Sequence, residues 1–200
     1  MNKNIEHYFF HKKNVLEKSF CENAINELKK NEWEKHVFYS GGGDGKGGEP
    51  TWTRPSGDNE PEVINSENFD SSIGEINKFI LQSLHSIILE YIESYKFDWF
   101  FAWEGYSAMK FIRYSQGQTM KNHCDHIHTL FDGKRKGIPI LSIIGLLNDD
   151  YEGGEMIMFE DKKLDTKTGD VLIFPSNFLY PHEVTPVSKG VRYSYVSWVW

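Results

Sequence analysis

The segment 121–128, with the sequence KNHCDHIH, concentrates side chains that bind metal ions. In an extended strand alternate side chains face the same way, so His123 and Asp125 would point into the same space. In a helix the same two side chains would diverge by about 200°. A β context therefore predicts two converging ligands. The alternatives are a solvated loop or an adventitious metal site, and His126 and His128 compete as ligands.

His182 is the candidate third ligand, because it follows a predicted strand at Val171–Phe174. Two imidazoles and one carboxylate on one face of a metal form the triad of non-haem Fe(II) oxygenases, which leaves coordination positions open. Zn²⁺ accepts the same donors but offers no redox route. We therefore predict that His123, Asp125 and His182 are the catalytic metal ligands.

Arg192 is a candidate anchor for a carboxylate. Its place in the predicted strand Val191–Val199 puts it on the same face as Ser194, Val196 and Trp198. A turn over residues 186–190 would return Arg192 to the neighbourhood of the third ligand.

The guanidinium offers a planar fork of donors that suits a carboxylate, and a buried Arg needs such a partner. Ser194 would donate a further hydrogen bond to the same group. The alternative is a structural ion pair between Arg192 and Glu155 or Asp170.

Hydrophobic periodicity predicts two helices that would pack against these strands. The first spans Val15–Trp33, with Asn14 as its cap and Glu17 as the capping-box partner. The second spans Ser72–Tyr95. Short β-rich runs between turn signals predict the following strands: Ala108–Tyr114, Ile138–Leu147, Glu155–Phe159, Val171–Phe174 and Val191–Val199. Short strands with two early helices predict a sandwich or barrel buttressed by those helices.

The segment Ser40–Glu62 is rich in Gly, Pro and acidic residues, which is typical of a long loop. Its stretch Gly41–Gly48, with Trp52, is a candidate lid that would close over the substrate. Further candidates for lining the pocket are aromatic: Trp103, Tyr106 and Trp198.

An ordered set of motifs over residues 105–200 resembles the prolyl 4-hydroxylase-like branch of the Fe(II)/2-oxoglutarate dioxygenases. The motifs are Phe111-Ile112-Arg113-Tyr114-x-x-Gly117-Gln118, His123-x-Asp125, Leu147-Asn148, Tyr151-x-Gly153-Gly154-Glu155 and His182-x-Val184-x-Pro186-Val187-x-x-Gly190-x-Arg192. Each motif is weak alone, but their combination in this order is specific.

The resemblance implies an α+β fold with a double-stranded β-helix (jelly-roll) core buttressed by N-terminal helices. We expect one domain over residues 1–200, helical to about residue 97 and jelly-roll from about residue 98. The resemblance also implies Fe(II), O₂ and 2-oxoglutarate as cofactors and cosubstrate, with ascorbate as a further candidate. It assigns the distal carboxylate of 2-oxoglutarate to Arg192, assisted by Tyr114.

Composition narrows the partners and the compartment. The net charge of −7 disfavours a broad nucleic-acid surface. No apolar run is long enough to cross a bilayer, and the N-terminus lacks the apolar stretch of a signal peptide. Cys21 and Cys124 are expected to be reduced thiols. We therefore expect a cytoplasmic protein with no membrane partner, and the sequence sets no oligomeric state.

These observations predict an oxygenase that hydroxylates a C–H bond of a peptidyl, prolyl substrate and releases succinate and CO₂. Many prolyl hydroxylases carry Lys where this chain has Arg192, so a free amino acid or small metabolite is an alternative substrate. A nucleic-acid demethylase would carry a second Arg six residues further on, where this chain has Trp198. A non-enzymatic jelly-roll metal or sugar binder would need neither Arg192 nor open metal positions.

Overall fold

The computed structural model describes residues 4–36, 59–66, 71–96, 105–125 and 139–200, together with the backbone of 38–40 and 51–53. A short 3-10 turn, Ile5–Tyr8, precedes the first strand. The helices are α1 (Lys18–Leu28) and α2 (Ser71–Tyr95). No helix in these ranges is both long and apolar enough to span a membrane.

The strands up to residue 146 are β1 (Phe10–Lys12), β2 (Glu34–Lys35), β3 (Phe38–Ser40), β4 (Thr51–Thr53), β5 (Glu62–Asn65), β6 (Lys110–Tyr114), β7 (Met120–His123) and β8 (Leu141–Leu146). The later strands are β9 (Glu152–Gly153), β10 (Met156–Met158), β11 (Lys162–Lys163), β12 (Val171–Pro175), β13 (His182–Val184), β14 (Val187–Lys189) and β15 (Arg192–Val199).

Among the described residues, seven strands form the larger sheet in the order β1-β12-β8-β15-β6-β5-β2. The smaller sheet has the order β11-β10-β13-β7, and β14-β9 and β3-β4 are separate pairs. Strands of the N-terminal part thus extend both edges of the larger sheet. The structure has the predicted jelly-roll core with two early helices, but these N-terminal strands were not predicted.

Alternation along the strands of the larger sheet produces two apolar layers. One face packs on the helices and contributes Phe111, Ile143, Ile173 and Tyr195 to a layer with Cys21, Leu28, Ile80 and Ile88. The other face packs on the smaller sheet and contributes Ile112, Tyr114, Ile144, Leu172 and Phe174 to a layer with Met156, Met158 and Val184. Neighbours in sequence alternate between the layers, as the pleat of a strand buried on both faces requires. We call the second layer the inner layer.

The predicted start of the first helix is wrong. The helix begins at Lys18 with Glu17 at its cap, and no side chain caps it. Asn14 instead has a left-handed backbone with φ 55°, and its N–H donates to Oδ1 of Asp170 at 3.0 Å. The carboxylate of Asp170 therefore holds the backbone that the sequence assigned to the helix.

Two further predictions about connections need correction. The loop predicted over Ser40–Glu62 includes β4, which pairs with β3, and reaches the first residue of β5. The turn predicted over 186–190 contains β14, which pairs with β9. Since β13 and β15 belong to different sheets, they do not form a hairpin.

Candidate metal and cosubstrate site

His123 and His182 are directly opposite each other on neighbouring antiparallel strands. His123 is the last residue of β7, and His182, the first residue of β13, is its partner in the register. Their ring centroids are 4.4 Å apart. The side chains of directly opposed residues in an antiparallel pair lie next to each other, so this pairing places the two imidazole rings side by side.

Asp125 lies two residues beyond His123, just past the end of the strand. Its Oδ1 lies 3.7 Å from Nε2 of His123 and 3.9 Å from Nε2 of His182. The ligand atoms of all three residues lie within 4.8 Å of one another. The structure therefore brings together the three residues that the sequence singled out, although Asp125 is not itself in a strand.

Backbone carbonyls orient both imidazole rings. Nδ1 of His123 lies 2.8 Å from the carbonyl of Lys121, and Nδ1 of His182 lies 3.1 Å from the carbonyl of Tyr180. Since a carbonyl only accepts, Nδ1 of each neutral ring carries the proton and Nε2 presents its lone pair. This is the usual arrangement of metal-binding histidines.

Two side chains of the larger sheet donate hydrogen bonds to the carboxylate of Asp125. Ser142 Oγ donates to Oδ2 at 2.5 Å, and Trp198 Nε1 donates to the same oxygen at 3.1 Å. Burial favours the protonated acid, but the two histidines and these hydrogen bonds outweigh it and lower the pKa of Asp125. The carboxylate is therefore ionised, and its Oδ1 faces the imidazoles and is available as a metal ligand.

This donor set fits Fe(II). Two imidazole nitrogens and one carboxylate oxygen on one side of an ion leave the opposite positions of an octahedron open to further ligands. The competing ligands His126 and His128 lie outside the described residues, so the choice of His182 over them stays a prediction.

Arg192 lies in the inner layer and is 1% exposed. Its Nη1 donates to Ser194 Oγ at 2.9 Å, while Nε and Nη2 are buried with no hydrogen-bond partner among the described residues. Leaving donors of a buried cation unsatisfied costs about 1–3 kcal/mol or more. The unpaired edge of the guanidinium therefore fits a carboxylate that the protein itself does not supply.

The predicted alternative, a structural ion pair between Arg192 and Glu155 or Asp170, is wrong. Glu155 accepts from Lys163 at 3.0 Å and from Thr185. Asp170 is paired with His11 at 2.8 Å and binds backbone N–H groups. Both acids are thus engaged elsewhere.

Tyr114 and Ser194 lie beside the guanidinium. Tyr114 is opposite Arg192 in the register of β6 and β15, and the Arg192 Cζ lies 5.0 Å from the centroid of its ring. Burial raises the pKa of Tyr114 to about 12, with the nearby guanidinium opposing it, so the phenol stays neutral. A hydroxyl that accepts a bond can still donate one, so Ser194 and Tyr114 both have a proton to offer an incoming anion.

Two polar motifs position Arg192. The side chain of Asn148 donates to the carbonyl of Val191 and accepts from the N–H of Tyr193, each at 2.7 Å, and so holds the backbone on both sides of the arginine. Gly154 has φ 61°, and a Cβ there would lie 3.2 Å from Cδ of Arg192. The Asn and Gly of the sequence motifs thus have a local packing role.

Sequence reasoning missed Ser142 and gave Trp198 only a lining role. Alternation in the predicted strand Ile138–Leu147 places Ser142 on the same face as Ile144, and that polar residue in an apolar strand was an available signal. Tyr106, also predicted to line the pocket, packs against the layer between sheet and helices. Tyr106 also forms a backbone β-bridge with Val199, whose side chain belongs to the helix-side layer. Tyr106 therefore lies on the face of the sheet opposite to the triad.

The other predicted lining elements lie outside the described residues. These are Trp103 and the candidate lid Gly41–Gly48, while Trp52 is described by its backbone alone. The two cysteines are free thiols, as predicted.

Known proteins match this chain in sequence over its C-terminal half. Residues 109–200 match the 2OG-Fe(II) oxygenase superfamily. The chain is 33% identical over 96 residues to a PKHD-type hydroxylase of Alteromonas mediterranea, a match that covers 44% of this chain and 41% of that one. It is 36% identical over 97 residues to a PKHD-type hydroxylase of Aliarcobacter butzleri, covering 45% and 41%. The chain thus matches less than half the length of these curated relatives.

Solved structures match over nearly the whole chain. A prolyl hydroxylase from Trichoplax adhaerens, in complex with a hypoxia inducible factor peptide, has a TM-score of 0.69 at 18% identity and covers 96% of this chain and 83% of that one. The viral collagen prolyl hydroxylase from Paramecium Bursaria Chlorella virus-1 has a TM-score of 0.63 at 17% identity, covering 96% and 94%. At these identities the likeness establishes the fold. Residues 109–200 thus match the sequence model of the 2OG-Fe(II) oxygenase superfamily, and the chain has the fold of these solved prolyl hydroxylases.

Proposed function

We propose that this protein hydroxylates a C–H bond in a peptidyl proline. The balanced reaction joins the substrate C–H, 2-oxoglutarate and O₂ to give the alcohol, succinate and CO₂. The observation that carries the proposal is Arg192, a buried cation with two donors that no described residue pairs, in the layer that also contains Trp198, the donor to Asp125. A metal-binding protein without a cosubstrate has no use for such a residue.

The arginine would bind and orient the cosubstrate. Nε and Nη2 of Arg192 present parallel donors to the distal carboxylate, and the protons of Ser194 and Tyr114 supply further hydrogen bonds. Because Nη1 is already held by Ser194, the guanidinium is preorganised and loses little freedom on binding.

The triad would hold Fe(II), which supplies the redox chemistry that lets O₂ attack an unactivated C–H bond. His123 and His182 direct Nε2 inward because their Nδ1 protons are bound by backbone carbonyls. Ser142 and Trp198 fix Oδ2 of Asp125 and leave Oδ1 for the metal.

Apolar side chains of the inner layer would keep water from the reacting atoms. Phe174 packs edge-on against the ring of His182, with centroids 5.2 Å apart. Ile112 and Ile144 lie in the same layer and are 4% and 7% exposed. A dry site prevents loss of reactive species to solvent and strengthens the charge interactions within it.

The names of the similar proteins support a peptidyl prolyl substrate. The curated relatives are called PKHD-type hydroxylases, and the solved neighbours are prolyl hydroxylases, one of them bound to a peptide. The net charge of −7 and the indole at position 198 disfavour a nucleic-acid substrate. Free amino acids are the competing substrates within the same chemistry.

The test is turnover of the full chain with Fe(II), 2-oxoglutarate, O₂ and a proline-rich peptide, followed by succinate and peptide mass. We expect succinate and a product heavier by one oxygen atom in equal amounts. The same peptide with Ala for Pro, and the variant His182→Ala, should give neither. Equal oxidation of the Ala peptide, or oxidation of free amino acids alone, would overturn the peptidyl prolyl assignment.

A further inference from the structure

Lys110 directs its side chain into the inner layer. It begins β6, where Ile112 and Tyr114 belong to the inner layer and Phe111 belongs to the helix-side layer. Alternation therefore puts Lys110 on the inner face. Consistent with this, its Nζ lies 5.5 Å from the ring centroid of Trp198, the residue that donates to Asp125.

This cation has no ion-pair partner among the described residues. Its ammonium lies over the indole ring of Trp198 in a cation–π interaction, which holds the ammonium without neutralising its charge. Burial lowers the pKa of Lys110, and the carboxylate of Asp125 opposes that effect. Asp125 is already engaged, however, through both of its oxygens. Once a metal binds Oδ1, the charge of that carboxylate is taken up by the metal, and Lys110 is left uncompensated.

Nearby groups do not supply the missing anion. The ring of His36 lies close enough that Lys110 and His123 both act on it, yet burial is the larger effect, and together they lower the pKa of His36 to about 4. An imidazole carries no negative charge in either protonation state, so His36 cannot supply the anion that the ammonium of Lys110 lacks. The ammonium of Lys110 therefore contacts the ring of Trp198 and interacts electrostatically with Asp125 and His36, which places it on the side of the inner layer that contains the triad.

Lys110 and Arg192 occupy opposite ends of the inner layer. In the register of β6 and β15, Tyr114 is opposite Arg192, and Lys110 is opposite Val196. Four residues of strand separate the two positions by about 13 Å. The Arg192 end is the one that fits the distal carboxylate of the cosubstrate, so the Lys110 end, beside the metal, remains for the substrate.

We propose that Lys110 binds a carboxylate of the substrate and so positions the target C–H bond beside the metal. This inference rests on the proposed hydroxylase function and narrows its substrate to an anionic one. The carboxylate has two sources: an acidic side chain next to the target proline, or the terminal carboxylate of a C-terminal proline. Trp198 contributes by holding the ammonium from one side.

The test measures binding, so it does not depend on turnover. The full chain, loaded with Fe(II) and 2-oxoglutarate without O₂, is titrated with matched probes. One pair is a blocked peptide with Glu on both sides of Pro and the same peptide with Gln. The other pair is a peptide ending in proline as the free acid and as the amide.

We expect the wild type to prefer one charged probe over its neutral match by about 10- to 100-fold, because a charge pair beside the metal is poorly screened. Lys110→Met should abolish that preference and leave the affinity for 2-oxoglutarate unchanged, while Lys110→Arg should retain part of it. The control Lys189→Met removes an exposed cation from β14 and should keep the full preference. The pair that shows the preference identifies the source of the carboxylate.

Three results would overturn the assignment. These are a wild type that does not distinguish the matched probes, a preference that survives Lys110→Met, and a loss of 2-oxoglutarate affinity in that variant in place of a loss of substrate affinity. Failure of the hydroxylase proposal is separate. It would show as an intact, Lys110-dependent binding preference with no hydroxylated prolyl product when O₂ is admitted.

Discussion

Trp198 Nε1 donates a hydrogen bond of 3.1 Å to Oδ2 of Asp125. The indole is on the last strand of the larger sheet, and the carboxylate follows the edge strand of the smaller one. This bond and the one from Ser142, which is also on the larger sheet, therefore join the two sheets at the triad. The bond from Trp198 also explains why a long side chain suits position 198. The donor of a short polar side chain at this position would not reach the carboxylate of Asp125.

The first prediction concerns that bond. Trp198→Phe keeps an aromatic ring beneath Lys110 but removes the donor, so we expect metal affinity to fall about 10- to 100-fold, as for other residues that orient ligands. Fe(II) or Co(II) titration under anaerobic conditions measures it. Trp33→Phe is the matched control, because Trp33 Nε1 has no hydrogen-bond partner in the described part of the chain. An unchanged affinity in Trp198→Phe would mean that Ser142 alone orients the carboxylate.

The second prediction concerns the third ligand. His182→Ala removes Nε2 from the triad and should weaken metal binding by more than the roughly 100-fold upper range for an orienting residue. His128→Ala, in the predicted competitor outside the described residues, should bind metal as the wild type does. The reverse pattern, with metal lost in His128→Ala and kept in His182→Ala, would assign the ligand to His128.

The third prediction concerns pH. Burial, helped by Lys110 and His123, lowers the pKa of His36 from 6.5 to about 4, although Glu60 lies 4.0 Å from its Nδ1. Between these values the unfolded chain binds a proton that the folded chain does not. Folding stability therefore falls as pH drops through that window, by on the order of 3 kcal/mol from this group.

His36→Gln should remove this contribution. Urea unfolding of the metal-free protein at pH 7.5 and pH 4.5 measures the free energy of unfolding, and the loss between the two should be smaller in the variant. Equal losses in both proteins would show that His36 takes up its proton in the folded state.

Much of this arrangement could be predicted because strands alternate. Arg192 and Ser194 are separated by two positions within β15, so the strand alone aligns them. His123 and Asp125 have the same spacing, although β7 ends at His123 and Asp125 lies just beyond it. The runs that became β6, β8, β12 and β15 are four residues or longer, and their alternation or apolar content is visible in the sequence.

The rest depended on contacts between distant segments. Strands of two or three residues, such as β1, carry no periodicity and form only because a neighbour pairs with them. The pairing of His182 with His123 depends on the register between two strands that are far apart in sequence. The sequence predicted that the two residues meet, but it did not predict this register. The cap at Asn14 failed because Asp170, 156 residues away, binds its N–H.

The central claim is that Arg192 holds the distal carboxylate of 2-oxoglutarate beside the triad. It is tested most directly by calorimetric titration of the anaerobic Fe(II) protein with 2-oxoglutarate and with pyruvate, a 2-oxo acid that lacks the distal carboxylate. We predict that the wild type binds 2-oxoglutarate at least about 100-fold more tightly, since a buried charge pair contributes about 2–5 kcal/mol. Arg192→Ala should bind both acids equally weakly, with Fe(II) affinity unchanged. A wild type that binds the two acids alike, or an Arg192→Ala variant that still prefers 2-oxoglutarate, would contradict the account.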